Sequence, residues 1–395
     1  MQLAMQLAVG ATGGRTLVGL LLLASTLATS RVATAAYSEE NFDTYEPTDG
    51  ARTLYVSPSG SDKNNGRTEE NAFRSLQRAA NISKPGDTVL VMNGTYTKNG
   101  SAATVLYIER SGTPDKWIRY MAYPGHRPRI KINQHWGGVT VGGASYILID
   151  GFIVQGDSLH VTRAEALREM DNLNNPRTSA NGISVTDDGA LPPRFPHHII
   201  IRNNEVLRCP GGGISTKHAD YVRIEQNVVH HNCFYTPYAN SGITTYLNSN
   251  FDNRRAFKMF IRDNISYRNQ NYVPHYYSAP DNPAQRRITD GNGIIVDDTR
   301  NVQSPIAKEP YRGKTVVQNN VVHSNGGRGI LVYLSDDVYV LNNFSMGNAI
   351  SRTMRAEINV NTSSNVWCVW NDLFPNSNRQ AIFAFDNESS HIQQE

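Results

Sequence analysis

Short runs of alternating apolar and polar residues recur along this chain from about residue 85 onward, each bounded by Gly or Asn. In Asp290-Gly-Asn-Gly-Ile-Ile-Val-Asp297-Asp298-Thr-Arg300, Ile294 and Val296 point one way and their neighbours the other. That period of two predicts a strand. Relatives of this strand are Asn181-Gly-Ile-Ser-Val-Thr-Asp187-Asp188, Gly212-Gly-Ile-Ser-Thr-Lys217-His218, Ser241-Gly-Ile-Thr-Thr-Tyr246 and Arg328-Gly-Ile-Leu-Val-Tyr333. A second motif pairs two short strands through Asn. It reads Val222-Arg-Ile-Glu-Gln-Asn227-Val-Val-His-His-Asn232, and again from Phe260 to Asn269, Thr315 to Asn325 and Val338 to Asn348. Ile199 to Cys209 fits with Cys209 at the second Asn position, and Ile147 to Gly156 fits with Gly151 and Gly156 in the Asn columns. Gly and Asn both tolerate a left-handed backbone, so these columns are expected to be tight turns.

Asn204 to Asn227 and Asn320 to Asn343 are both 23 residues apart. Three short strands and their turns at that period make one coil of a parallel β-helix, whereas a propeller blade needs about 40 residues. The predicted fold class is therefore all-β, a right-handed parallel β-helix, with Ile214, Ile243, Ile294 and Ile330 stacked inside it. Phe73, Leu76 and Ala80 share one face of Asn71–Ala80, which predicts an amphipathic helix capping the N-terminal end of the stack. The extra residues between repeats fall beside the Gly-Ile strand: 157–180 and 270–290 before it, 187–196, 247–256 and 299–313 after it. Loops inserted on both flanks of one strand wall a groove. They carry Tyr272, Tyr276, Tyr277, Arg286 and Arg287, which suit sugar stacking and acid-group binding.

Arg15 precedes the apolar run Leu17–Ala28, and Ala33-Thr-Ala35 offers small residues for cleavage. Residues 1–36 are thus expected to be a signal peptide, 37–54 a polar linker and 55–395 one β-helix domain of a secreted, monomeric protein. Apolar content of 39% and charged content of 18% exclude a disordered chain. The formal net charge of +3 says little about partners; no nucleic-acid partner is expected, and no later run is apolar enough to span a membrane. Seven Asn-x-Ser/Thr sites, at Asn81, Asn93, Asn99, Asn264, Asn343, Asn361 and Asn387, suit a secreted glycoprotein, with Asn264 and Asn343 expected to be buried in repeat turns. Cys209 and Cys233 lie about one coil apart and are expected to form a disulfide, leaving Cys368 free.

Aligning the Gly-Ile strands puts Thr186, Lys217, Tyr246, Asp297 and Tyr333 in one outward column and Asp187, His218, Leu247, Asp298 and Leu334 at its exit. Coils are about 4.8 Å apart, so Lys217 and Asp297 are on the order of 10 Å apart at the backbone. An ordinary solvated face does not call for a Lys and two Asp-Asp pairs. Two chemistries use such a floor. In β-elimination from a uronic acid, Lys217 is the candidate base, and Asp187 and Asp188 hold a hard cation such as calcium. In inverting hydrolysis one carboxylic acid protonates the leaving oxygen and another activates water, a role open to Asp297 and Asp298 with Asp290 or Asp187 opposite. His218 completes the candidate catalytic set, and Tyr246, Arg300, Arg328 and Tyr333 are candidate substrate contacts. His230, His231 and His323 fall in the second strand, away from the groove, and make no compact metal motif.

The opening of the domain resembles that of secreted β-helix polysaccharide lyases. The residues that carry the likeness are Tyr55-Val-Ser-Pro-Ser-Gly-Ser-Asp with Asn-Asn-Gly66, Phe73-Arg-Ser-Leu-Gln, Pro-Gly-Asp87-Thr-Val and Asn93-Gly-Thr-Tyr96. Ser111-Gly-Thr-Pro-Asp-Lys-Trp-Ile, with Ala122-Tyr-Pro-Gly125, continues it. The nearest likeness is to family 9 pectate lyases, with alginate and chondroitin lyases of the same fold further off. It implies a Lys base at Lys217, calcium on Asp187 and Asp188 with Asp157 from the coil before, and pectate-like acidic polysaccharide as substrate. The Asp297-Asp298 pair has no counterpart in that pattern, which leaves a β-helix glycoside hydrolase as the alternative and a non-catalytic glycan-binding helix as a third reading.

Overall fold

The computed structural model describes residues 38–48, 50, 52–98, 103–376 and 381–394. The predicted leader lies outside them. Three parallel sheets run the length of the domain: one of eleven strands, one of nine that carries the Gly-Ile strands, and one of nine short strands. Each coil takes one strand from each, as in Ile214–Lys217, Asp220–Glu225 and Val228–His230. The sheet of Gly-Ile strands is called the groove sheet below. Ile183, Ile214, Ile243, Ile294, Ile330 and Ile358 stack in register inside it and are fully buried. The Gly before each Ile is needed for close approach: a Cβ on Gly242 would stand 2.5 Å from both Asn269 Nδ2 and Ser266 Oγ.

Those amides belong to one of two asparagine ladders. Asn204, Asn227, Asn264, Asn320, Asn343 and Asn371 stack, each backbone N–H donating to the next Asn Oδ1 at 2.9–3.0 Å. Asn232, Asn269, Asn325 and Asn348 form the other, which Glu357 closes by accepting from Asn348 N at 2.9 Å. The left-handed residues are not these Asn but the ones before them: Asn203, Gln226, Asp263, Asn319 and Asn342, with Gly151 in the same column. Asn is selected for its side-chain amide, which satisfies backbone groups in a buried turn. Asn264 and Asn343 are accordingly buried.

Three features differ from expectation. The capping helix is shorter, Leu76–Ile82, because Ser75 caps it by accepting from Arg78 N, while Phe73 joins the core beside Val56. The stretch read as a linker is a strap on the eleven-stranded sheet. Phe42 is 1% exposed and meets His198 and Tyr221 edge-on at 5.5 and 5.4 Å. Arg223 donates to the Phe42 and Tyr45 carbonyls and pairs with Glu46 at 3.0 Å. Last, Cys209 and Cys233 are free thiols, so the expected bridge is not formed. Both thiols are fully buried, and burial pushes that of Cys209 up to about 12. Among the described residues no helix is long and apolar enough to cross a membrane.

Candidate functional site on the groove sheet

The outward column predicted from the sequence is present. Lys217 pairs in register with Tyr246, Tyr246 with Asp297, Asp297 with Tyr333, and Tyr333 with Asn361. The parallel column two residues back changes character along the groove. It runs Ser184, Ser215, Thr244 and then Ile295 and Leu331, which face outward yet are 3% and 5% exposed. Asp297 is therefore set beside apolar neighbours with a tyrosine on each adjacent coil.

That setting controls its chemistry. The Asp297 side chain is half-buried, but Oδ1 is sealed from solvent and has no hydrogen-bond partner. Burial first, then the nearby Asp290 and Asp298 carboxyls, holds its pKa well above the usual carboxylate range. The protonated form of Asp297 is therefore favoured over that of an ordinary carboxyl, and Oδ1 has no group of the chain's own to bond. Burial also pushes the Tyr246 phenol up to about 12, helped by Asp297 and Asp298. Lys217 Nζ lies 5.9 Å from the centre of the Tyr246 ring and makes no hydrogen bond or ion pair among the described residues. Lys217, Tyr246, Asp297 and Tyr333 are the predicted residues that the fold brings together.

Asp298 goes elsewhere. It is fully buried in a left-handed conformation, φ 49°, with Oδ1 and Oδ2 accepting from Val302 N at 3.0 Å and Gln303 N at 2.7 Å. His218, Leu247, Leu334 and Thr362 take the same left-handed turn after the outward column. The turn directs the second Asp away from the groove, where it caps the 299–313 loop. Arg300 is held by Asp336 at 2.7 and 2.9 Å and by Ser364. Arg328 donates to the Thr289 carbonyl at 2.9 Å while its Nε is buried and unpartnered, and desolvation lowers its pKa against the pull of Asp290. Asp290 accepts from Asn292 Nδ2 at 3.0 Å, and burial raises its pKa.

The acids assigned to calcium are engaged separately. Asp187 accepts from His218 Nδ1 at 2.8 Å and Gly189 N at 3.0 Å; burial pulls its pKa up, but His218 and Lys217 bring it below the usual value. Asp188 accepts from Arg194 Nε at 2.6 Å and from Arg194 N and Ala190 N, which hold it down at about 2. Asp157 is bound to His160 Nδ1 at 2.6 Å. Among the described residues no three His, Cys, Asp or Glu groups converge to hold a metal ion. The set Asp157, Asp187 and Asp188 does not fit a calcium ion.

His218 is not placed for catalysis either. Its Nδ1 faces Asp187 and its Nε2 faces Ser304 Oγ at 3.1 Å, an order that resembles a nucleophile relay. However, His218 is 1% and Ser304 5% exposed, and Ser304 Oγ also accepts from Ala307 N at 2.8 Å. The relay ties the 299–313 loop to the coil exits. Ser304 was not among the residues singled out from the sequence, and nothing local marks it.

A right-handed parallel β-helix with an acid and an amine on its groove sheet is the class of protein that these features define. The chain belongs to the Pel9A-like right-handed β-helix family, whose model matches residues 54–365. The uncharacterized protein YwoF of Bacillus subtilis (strain 168) is 29% identical over 154 residues, 39% of this chain but only 28% of YwoF. Solved structures similar to this chain include the pectate lyase Pel9A, at 14% identity and a TM-score of 0.46 over 86% of this chain and 80% of that one. A rhamnogalacturonan lyase follows at 16% and 0.45 over 87% of each chain, and XylC in complex with xylose at 11% and 0.49 over 87% of this chain and 70% of that one. At these identities the likeness is one of fold.

Proposed function

We propose that this protein is a secreted enzyme that cleaves an acidic polysaccharide, pectate-like in charge, by β-elimination in the groove over Lys217, Tyr246, Asp297 and Tyr333. The observation that carries the reading is the unpartnered carboxyl of Asp297 on the groove floor, two coils from an equally unpartnered Lys217. Lys217 removes the proton α to the uronate carboxylate. The electron pair left behind forms the carbon–carbon double bond, the glycosidic C–O bond at the next carbon breaks, and the departing oxygen takes a proton. Tyr246, in register between the two, is the donor for that oxygen. The proton on Asp297 is shared with the substrate carboxylate and offsets the charge that grows there as the α-proton leaves.

Hydrolysis is the second reading, since a protonated acid in a groove also suits leaving-group protonation. Inversion then needs an ionised carboxylate about 6.5–9.5 Å away. Asp298 has both oxygens on backbone N–H groups, and burial raises Asp290 as well. Asp187 sits at the exit of a strand three coils away, roughly 14 Å at the backbone. Elimination asks for no second carboxylate.

Incubation with a panel of acidic glycans separates these readings. Ultraviolet absorbance from unsaturated ends supports elimination, reducing ends without it mean hydrolysis, and tight binding without cleavage makes the protein a glycan-binding module. Lys217→Ala and Asp297→Asn are each expected to lower the rate by about 10²–10⁴-fold. Full activity in Lys217→Ala would end its role as base.

A further inference from the structure

We propose that this groove works without a divalent cation: the substrate carboxylate is taken by the unpartnered carboxyl of Asp297, with Tyr246 and Tyr333 on the adjacent coils, and not by calcium on Asp157, Asp187 and Asp188. The proposal rests on the elimination reading above. A calcium site is built from six to eight oxygen ligands, with several carboxylates whose charge is not already matched. Here each candidate carboxylate is already engaged by a basic side chain. Asp188 is bound by the Arg194 guanidinium at 2.6 Å, Asp187 by His218 Nδ1 at 2.8 Å and Asp157 by His160 Nδ1 at 2.6 Å, so an arriving Ca²⁺ would have to displace all three. The oxygens are also committed: Asp188 accepts three hydrogen bonds, two of them from backbone N–H groups that no side-chain rotation removes.

The setting of Asp297 is the reverse. It has no cation, no hydrogen-bond partner at Oδ1, and Ile295, Leu331 and two tyrosines around it. Burial favours its protonated form. A neutral carboxylic acid that can donate to an arriving carboxylate offsets charge as a metal ion does, and here it does so beside the apolar Ile295 and Leu331. The atoms balance without a metal. The α-proton goes to Lys217, its electron pair enters the double bond, the C–O pair leaves with the oxygen, which takes the Tyr246 proton, and the Asp297 proton remains in its hydrogen bond with the substrate carboxylate.

The test uses the mature chain, stripped with a chelator and dialysed, with two readouts. The first is the rate of unsaturated-end formation on acidic glycans with chelator and with added calcium. The expected change is less than about twofold, where loss of a metal that offsets enolate charge would cost several orders of magnitude. The second is calcium binding to the free protein, by equilibrium dialysis and by thermal denaturation in millimolar calcium, with no saturable site and no shift in Tm expected. Chelator-sensitive activity restored by calcium would overturn the proposal and leave elimination standing. So would saturable calcium binding that Asp187→Asn/Asp188→Asn removes. If no acidic glycan is cleaved, the elimination reading fails on the first readout, and the binding measurement still decides the question of calcium.

Discussion

Replacing Asp297 by Ala should remove activity and make the protein more stable, and the two effects together separate a functional carboxyl from a structural one. A buried oxygen without a partner costs about 1–3 kcal/mol relative to one that is satisfied. Asp297 Oδ1 is such an oxygen, and the wild-type chain bears the cost. Truncation to Ala removes the oxygen. The space it vacates opens onto the groove, where water fills it, so little cavity cost is added. The expected gain is about 1–2 kcal/mol, a few degrees in Tm for a chain of this size. The pH dependence has a definite sign. The folded pKa of Asp297 is raised above its unfolded value, so the protonated form supports the fold at low pH, and that support is lost as pH rises through the folded pKa. The Ala variant has no such loss, so its advantage over wild type should widen from pH 5 to pH 9. Denaturant titrations at the two pH values, with the cleavage assay alongside, measure both. A variant that is less stable than wild type at both values would show that Asp297 holds the fold together and would refute the reasoning.

Other substitutions test the supports of the groove. Lys258 is fully buried, pairs with the buried Asp220 at 3.2 Å and also with Asp252; Lys258→Met should cost about 3–5 kcal/mol, and adding Asp220→Asn should recover part of it in a double-variant cycle. Asn264→Ala removes the acceptor of Asn227 N and the donor to Ile224 O in the dry turn, while Asn320 Oδ1 keeps the backbone N–H of residue 264, so a loss of several kcal/mol is expected by chemical denaturation, at about 1–3 kcal/mol for each of the two orphans. Phe42→Ala should lower stability by about 3–5 kcal/mol with little change in cleavage rate, because the strap covers the eleven-stranded sheet and not the groove. An unchanged Tm for Phe42→Ala would return residues 38–48 to the status of a linker.

The coil was legible because its signal is periodic: Ile every coil, Asn every 23 residues where no loop intervenes, and Gly where the ladder amides come within 2.5–3.1 Å of a built Cβ. What the sequence concealed is what has no period. The left-handed turn residues are Gln226, Asp263 and Asn319, and the same column holds Trp370 near the C-terminal end, so nothing in their chemistry announces the backbone. Phe42 and Tyr45 are isolated aromatics in a polar stretch and read as linker, although the sheet surface they cover is built for them. The outward column was placed correctly by counting from Ile, but counting does not reveal which acids are already paired. Arg194, which engages Asp188, lies six residues away across a loop, and the left-handed turn that separates Asp298 from Asp297 is invisible in the pair itself.

That separation bears on how the groove is to be read. The other well-buried acids of this chain are provided for. Asp220 has Lys258, the Tyr311 hydroxyl and two backbone N–H groups. Glu225 has Arg223 and Arg262, Glu357 has Asn348 and Ser345, and Asp298 has Val302 N and Gln303 N. Among the described residues Asp297 is the one acid with a buried oxygen that the chain does not satisfy. Buried polar groups in folded proteins are almost always paired, so each exception needs its own account. Loose packing does not supply it here, because Asp297 lies in unbroken register between Tyr246 and Tyr333. Among the described residues, a fold that provides partners for the other well-buried carboxyls and withholds them from one at the centre of its groove leaves that carboxyl's accessible oxygen, Oδ2, for a ligand. The ligand that satisfies a protonated acid is an acceptor, and on an acidic glycan that acceptor is the uronate carboxylate.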